Sequence, residues 1–208
     1  MTAKLQKLVA GLGAVAMSAA MAGCGGEFVR DSRSPVRLVV NSVEWNDQNT
    51  VLADVITLRR TPAPCTATAP CPTVVNDMAV VNFSLLLRDP GEVASPSSPS
   101  GLNQVTVNRY RVQYRRADGH NVPGVDVPYD FDSAFTVTVP ATGNAEAAFE
   151  IVRHSAKEEA PLAALRFNDD IISTIAEVTF YGRDQAGNEV SASASIGINF
   201  GNFADSAN

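Results

Sequence analysis

Val190-Ser-Ala-Ser-Ala-Ser-Ile-Gly-Ile-Asn-Phe200 decides the fold class. Val190, Ala192, Ala194, Ile196, Ile198 and Phe200 alternate with Ser191, Ser193, Ser195, Gly197 and Asn199, the period of two expected of a half-buried β-strand. Residues 172–181 repeat the pattern, with Ala176, Val178 and Phe180 on the inner face. Between the two runs lies Asp184-Gln-Ala-Gly-Asn188, rich in residues that accept positive φ, so the pair reads as a hairpin.

Upstream, the same period recurs. Residues 36–45 and 51–58 flank the turn-like Asn46-Asp47-Gln48-Asn49, and 79–87 sets Ala79, Val81, Phe83, Leu85 and Leu87 on one face. Phe135, Val137 and Val139 alternate with threonines, and Ala147, Phe149 and Ile151 with Glu146, Ala148 and Glu150. In 105–116 the apolar phase slips between Val107 and Tyr110, which predicts a β-bulge at Asn108-Arg109. Only 155–165 looks helical: Ser155 and Glu158 have capping-box spacing, and Pro161 limits the helix to a turn or two. Residues 89–103 are rich in Pro and Ser, without the makings of regular structure. Seven to nine strands with turn signals between them indicate an all-β antiparallel sandwich.

Composition agrees with a globular domain. Of 208 residues 45% are hydrophobic and 18% charged, which fits neither a disordered chain nor a coiled coil. Net charge is −6, so there is no electrostatic footprint for nucleic acid. No internal repeat is visible.

The N-terminus has a different character. Lys4 and Lys7 precede a short apolar stretch, 8–22, dominated by Ala and Gly, followed by Gly23-Cys24. This order of basic, apolar and small residues is that of a secretory signal peptide, and the stretch is too short and too weakly apolar for a spanning helix. Met21-Ala22-Gly23-Cys24 resembles the lipobox of bacterial lipoproteins, with Met where Leu is commoner. The resemblance implies cleavage after residue 23, a diacylglycerol on the Cys24 sulfur and a further acyl chain on its amine. It implies an envelope protein held to a membrane at Cys24, and Gly25 in place of an acidic residue favours the outer membrane. Removing Lys4 and Lys7 leaves 14 basic against 22 acidic residues, net −8, and Lys157 as the single lysine. The expected organisation is a leader at 1–23, a tether at 24–35, a sandwich at 36–203 and a tail at 204–208. The stretch 179–198 resembles the last hairpin of bacterial immunoglobulin-like and fibronectin-III-like domains, implying an immunoglobulin-like sandwich. A Cys…Trp…Cys core signature is absent, Trp45 being the only tryptophan.

Candidate sites are few. Cys65 and Cys71 form an even pair within one loop, and in an oxidising compartment they are expected to form a disulfide; a metal would need two more soft ligands. Arg109, Arg111 and Arg115 share an outer face, with Arg116 beside them. They either receive an anionic glycan or acidic protein, or pair with acidic neighbours across strands. Asp130, Asp132, Asp169 and Asp170 are candidate calcium ligands, in loops where acidic residues also serve turn chemistry. His120 and His154 fall in loops, and no hydrolase, zinc-protease or phosphate-loop motif occurs. The expected function is a non-catalytic binding or structural module without a cofactor, meeting an unknown protein or glycan. The alternatives are a calcium-dependent adhesin, and an envelope enzyme or its accessory subunit. If the strands simply alternate in direction, the 65–71 loop and the turns at 118–121, 140–144 and 184–188 share the tether's end. Asp47, Asp89, Glu92, Asp130, Asp132, Glu158, Glu159, Asp169 and Asp170 then gather at the other end as an acidic tip.

Overall fold

The computed structural model describes residues 33–204; the expected leader, Cys24 and nearly all of the expected tether lie outside them. In chain order the strands are β1 (Val36–Glu44), β2 (Thr50–Asp54), β3 (Thr57–Arg59), β4 (Cys71–Thr73), β5 (Asp77–Leu87), β6 (Gly91–Glu92), β7 (Ser95–Pro96), β8 (Val105–Arg115), β9 (Phe131–Val139) and β10 (Asn144–Val152). A short helix, α1 (His154–Glu158), and a 3-10 segment (Leu162–Phe167) precede β11 (Ile172–Asp184) and β12 (Glu189–Gly201). One sheet has the order β1-β5-β10 and the other β2-β12-β11-β8-β9. The early strand thus divides between the layers, β1 in one and β2 beside the last strand of the other. This is an all-β sandwich of two facing sheets.

The alternating residues form the core between the sheets. Phe83 and Phe149 from the three-stranded sheet meet Tyr110, Phe135 and Phe180 from the five-stranded one, with ring centroids 5.0 Å apart for Phe83–Phe180 and 5.2 Å for Tyr110–Phe149. Most of these rings meet edge to face, the arrangement their quadrupoles favour. The two buried tyrosines also bridge the layers. The Tyr110 hydroxyl donates to the Glu150 carbonyl at 3.0 Å, and the Tyr114 hydroxyl to the Ile151 carbonyl at 2.7 Å. Each inner phenol thereby has a partner and fixes the height of β10 against β8.

The phase slip is a bulge. The pairing of β8 shifts between Val107 and Arg109 against β9, and β11 shifts opposite it between Tyr181 and Gly182. Gly182 is required there: a Cβ would lie 2.6 Å from the Thr106 carbonyl oxygen. The hairpin at 184–188 is tied by one side chain. Asp184 Oδ1 accepts the backbone N–H groups of Ala186 and Asn188 at 3.0 and 2.8 Å, and Oδ2 accepts the Asn188 amide at 2.9 Å. Gly187 supplies φ 84°. Burial alone would raise the Asp184 pKa, but hydrogen bonds from Asn188, Ser34 and Ala186 outweigh it, leaving the carboxylate below its ordinary 3.8. A folded pKa below the unfolded one gives stability that is present above about pH 4 and lost as pH falls through the folded value. Asp184→Ala is expected to cost about 2–3 kcal/mol at pH 7 by stranding these donors. Urea titrations at pH 7 and pH 3 check it: the gap between wild type and variant should narrow in acid, and an unchanged gap would refute the assignment.

Three expectations need correction. The 51–58 strand is broken into β2 and β3, with Val55 turned into the core. The sandwich is not wholly antiparallel: β2 runs parallel to β12, Thr50 opposite Gly197 and Asp54 opposite Gly201. The Ser155–Glu158 capping box does not form. Helix α1 starts one residue earlier, and the His154 N–H is capped by Asn76 Oδ1 at 2.6 Å from across the fold.

The parallel strand also overturns simple alternation. β1 and β2 run in the same overall direction, the turn between them carrying positive φ at Asn46 and Asp47. The 65–71 loop and the 118–121 turn therefore lie at the end away from residues 33–35, the same end as Asp169. The 88–104 segment, with Asp89 and Glu92, lies instead at the end shared with the 140–144 and 184–188 turns. The predicted nine-residue acidic tip does not exist as drawn. Residues 89–103 are almost entirely exposed, with a two-residue ladder, β6–β7, and one 3-10 turn, Gly101–Asn103.

Candidate functional site

Two ends of different character result. At the proximal end residues 33–35 join the sandwich, where the Pro35 carbonyl accepts the Arg88 N–H at 2.9 Å and Ser34 is buried beside Asp184. The distal end collects the 55–76 arm, the 116–130 loop and the 153–171 segment.

The arm is a hairpin, β3 with β4, whose Pro-rich connection is closed by the Cys65–Cys71 disulfide, the Cα atoms 5.3 Å apart. The bond shapes the arm and leaves the sandwich core untouched. His154 fastens the arm's base to α1, its Nδ1 lying 2.9 Å from Asn76 Oδ1 in addition to the backbone cap. At the N-cap of α1, Arg153 stacks over the Phe131 ring at 3.9 Å and donates to the Asp132 carbonyl at 2.7 Å. Residues 128–131, with Arg153, Ser155, Ala156, Glu159 and Ala160, line a cleft of about 180 Å³, below the usual ~300–1,000 Å³ of small-molecule sites. The distal loops also expose large apolar side chains: Phe167 at 90%, Val125 at 66%, Tyr129 at 59%, Ile171 at 57% and Val122 at 55%. Side chains of this kind on loops suit contact with a large partner rather than enclosure of a small ligand.

The arginines on the outer face of β8 are paired. Arg109 meets Asp132 at 3.4 Å and lies over the Tyr181 ring at 4.1 Å; Arg111 meets Asp130 at 3.3 Å and Asp132 at 3.4 Å; Arg115 meets Glu177 at 2.8 Å. Arg116 turns back onto Asp118 in the next loop. Two candidate calcium ligands, Asp130 and Asp132, are thus occupied by guanidinium groups, and Gln113 also donates to Asp130 at 2.9 Å. Asp169 and Asp170 lie at the same end, exposed in the turn before β11. Among the described residues no three His, Cys, Asp or Glu side chains gather as a metal site would require. His120 stands 3.6 Å from Asp118 on an exposed turn. Cys24 lies outside the described residues.

Sequence reasoning missed one feature, the environment of Lys157. Its side chain is fully buried, and Nζ lies 2.8 Å from Asp77 Oδ2 at the start of β5. Desolvation pushes the Asp77 carboxyl up to about 6 against the pull of Lys157, with Asp54 adding to the rise. The available signal was that a chain using arginine everywhere else after residue 7 keeps one lysine.

No family model matches the chain, and neither a curated protein nor a solved structure matches it.

Proposed function

We propose that the protein is a lipid-anchored bacterial envelope protein whose sandwich presents its distal loops to a macromolecular partner as a non-catalytic binding module. One observation supports the reading above others. Residues 33–35 join at one end, while the disulfide-closed arm, the exposed Phe167, Tyr129 and Ile171 and the 116–130 loop lie at the other. A chain anchored at Cys24 by eleven residues of tether, at most ~40 Å when extended, keeps the proximal end against the membrane. The thirteen residues of β12 span about 40 Å at ~3.3 Å each, so the distal loops stand clear of the headgroups. A net charge of −8 opposes lying flat on an anionic surface.

Site-specific photo-crosslinking in intact cells tests the reading. A photoreactive residue in place of Phe167 or Tyr129 is expected to give a discrete adduct, and one in place of Thr142 at the proximal end is expected to lack it. Identical adducts from both ends, or none from the distal positions, would sink the proposal.

A further inference from the structure

We infer that Lys157 and Asp77 form an intramolecular amide bond, a covalent cross-link between α1 and the first residue of β5. Three observations carry this, none of which depends on the lipid anchor or on a partner. Lys157 is 0% exposed and its Nζ is 2.8 Å from Asp77 Oδ2, yet beyond this contact neither atom has a hydrogen-bond partner among the described residues. A buried ion pair repays its desolvation only when further hydrogen bonds satisfy both groups, and this pair lacks them. Converting it to a neutral amide removes both charges from the interior. Secondly, the site is built for approach: Asp77 opens β5 opposite Val152 of β10, and the chain returns over it within five residues as α1. A nitrogen at this distance from a carboxylate oxygen lies roughly 3–4 Å from the carboxyl carbon, close to the separation of an attack-ready pair. Thirdly, arginine serves every other Lys/Arg position among the described residues, and a guanidinium cannot replace a primary amine in this reaction.

The step balances without an external reagent. Transfer of a proton from Nζ to Oδ2 across the contact gives a neutral amine and a neutral acid. The Nζ lone pair attacks Cγ, the bond from Cγ to the hydroxyl oxygen breaks, and the hydroxyl leaves with an Nζ proton as water. One N–C bond forms, one C–O bond breaks and no atom changes oxidation state. Burial favours the neutral acid, since the Asp77 carboxyl is pushed up to about 6. The product closes residues 77–157 into a covalent loop containing β5, β8, β9 and β10, and clamps the base of the distal end.

Peptide mapping of the purified full chain tests the inference. After reduction and trypsin, the cross-linked protein is expected to yield residues 61–88 joined to residues 154–166. The joined species should be one water lighter than its two parts, with no cleavage after Lys157. An amine-reactive reagent applied in denaturant should leave Lys157 unlabelled. Lys157→Arg and Asp77→Ala are expected to return residues 61–88 as a free peptide. The wild-type map decides even if these variants fail to fold: recovery of residues 154–157 and 158–166 as separate peptides, with an amine that labels, overturns the cross-link.

Discussion

Phe180→Ala is expected to lower the unfolding free energy by about 3–5 kcal/mol, the range for truncating a buried aromatic ring. Phe180 is 0% exposed on β11, which lies in the middle of the five-stranded sheet, and rings of both layers touch its ring. Centroid distances are 5.0 Å to Phe83, 5.3 Å to Phe149 and 6.0 Å to Phe135. Removing it leaves a cavity walled by rings that are themselves pinned: Tyr110 by its hydrogen bonds to Glu150, and Phe149 by the strand beneath it. Rings so held collapse little into the gap, which places the cost toward the upper part of the range. A domain of this size has a total stability of roughly 5–15 kcal/mol, so the variant should lose about a quarter of it or more. Urea unfolding should show a lower midpoint with an unchanged slope. A loss below about 1 kcal/mol, the scale of a conservative core swap, would mean that the two layers do not meet at this ring. Phe180→Leu, which keeps most of the volume, should cost much less.

The legible part of the fold was the part governed by period. A strand with one face buried must alternate, so the inner faces of β5, β8, β10, β11 and β12 could be named residue by residue, and the slip at Asn108 identified a bulge. What period cannot report is which sheet a strand joins. The Trp45–Gln48 turn has the hydrogen bonds and left-handed residues of a two-residue hairpin turn, yet the chain then continues into the opposite layer and runs parallel to β12. That one crossover moved the disulfide arm and the 118–121 turn to the other end of the molecule. The capping error has a related origin. Ser155 was the local candidate, but the donor that needed a partner found Asn76, 78 residues away in sequence.

For the candidate site, the sequence gives residue types and withholds neighbours. Cys65 and Cys71 were legible because a short loop leaves each cysteine little alternative. The arginines of β8 were legible as a row, and the choice between a ligand and cross-strand carboxylates needed Asp130, Asp132 and Glu177 in place. Lys157, flanked by Ala156, Glu158 and Glu159, reads locally as a solvated helix residue. Its burial is set by the turn of α1 that lays it over Asp77, and no window of sequence contains both residues.

Cys24→Ala is expected to abolish palmitate labelling and to move the protein from the membrane fraction to the soluble one. The effect should be all or none because it removes every acyl chain at once. Each buried methylene contributes ~0.8 kcal/mol, so two or three chains hold a protein stably where one gives only marginal, reversible binding. Among the described residues no helix is long and apolar enough to cross a membrane. The folded part carries a charge that an anionic surface repels. Fractionation by itself has one ambiguity, since a variant with its leader uncleaved could still be retained by residues 8–22. Palmitate incorporation resolves it, because a retained leader carries no thiol to acylate and adds its own mass to the chain. Label that persists in Cys24→Ala, or a wild-type chain that never takes it up, would remove the anchor. The tether length would then say nothing about orientation, and the distal loops would lose the membrane as their reference.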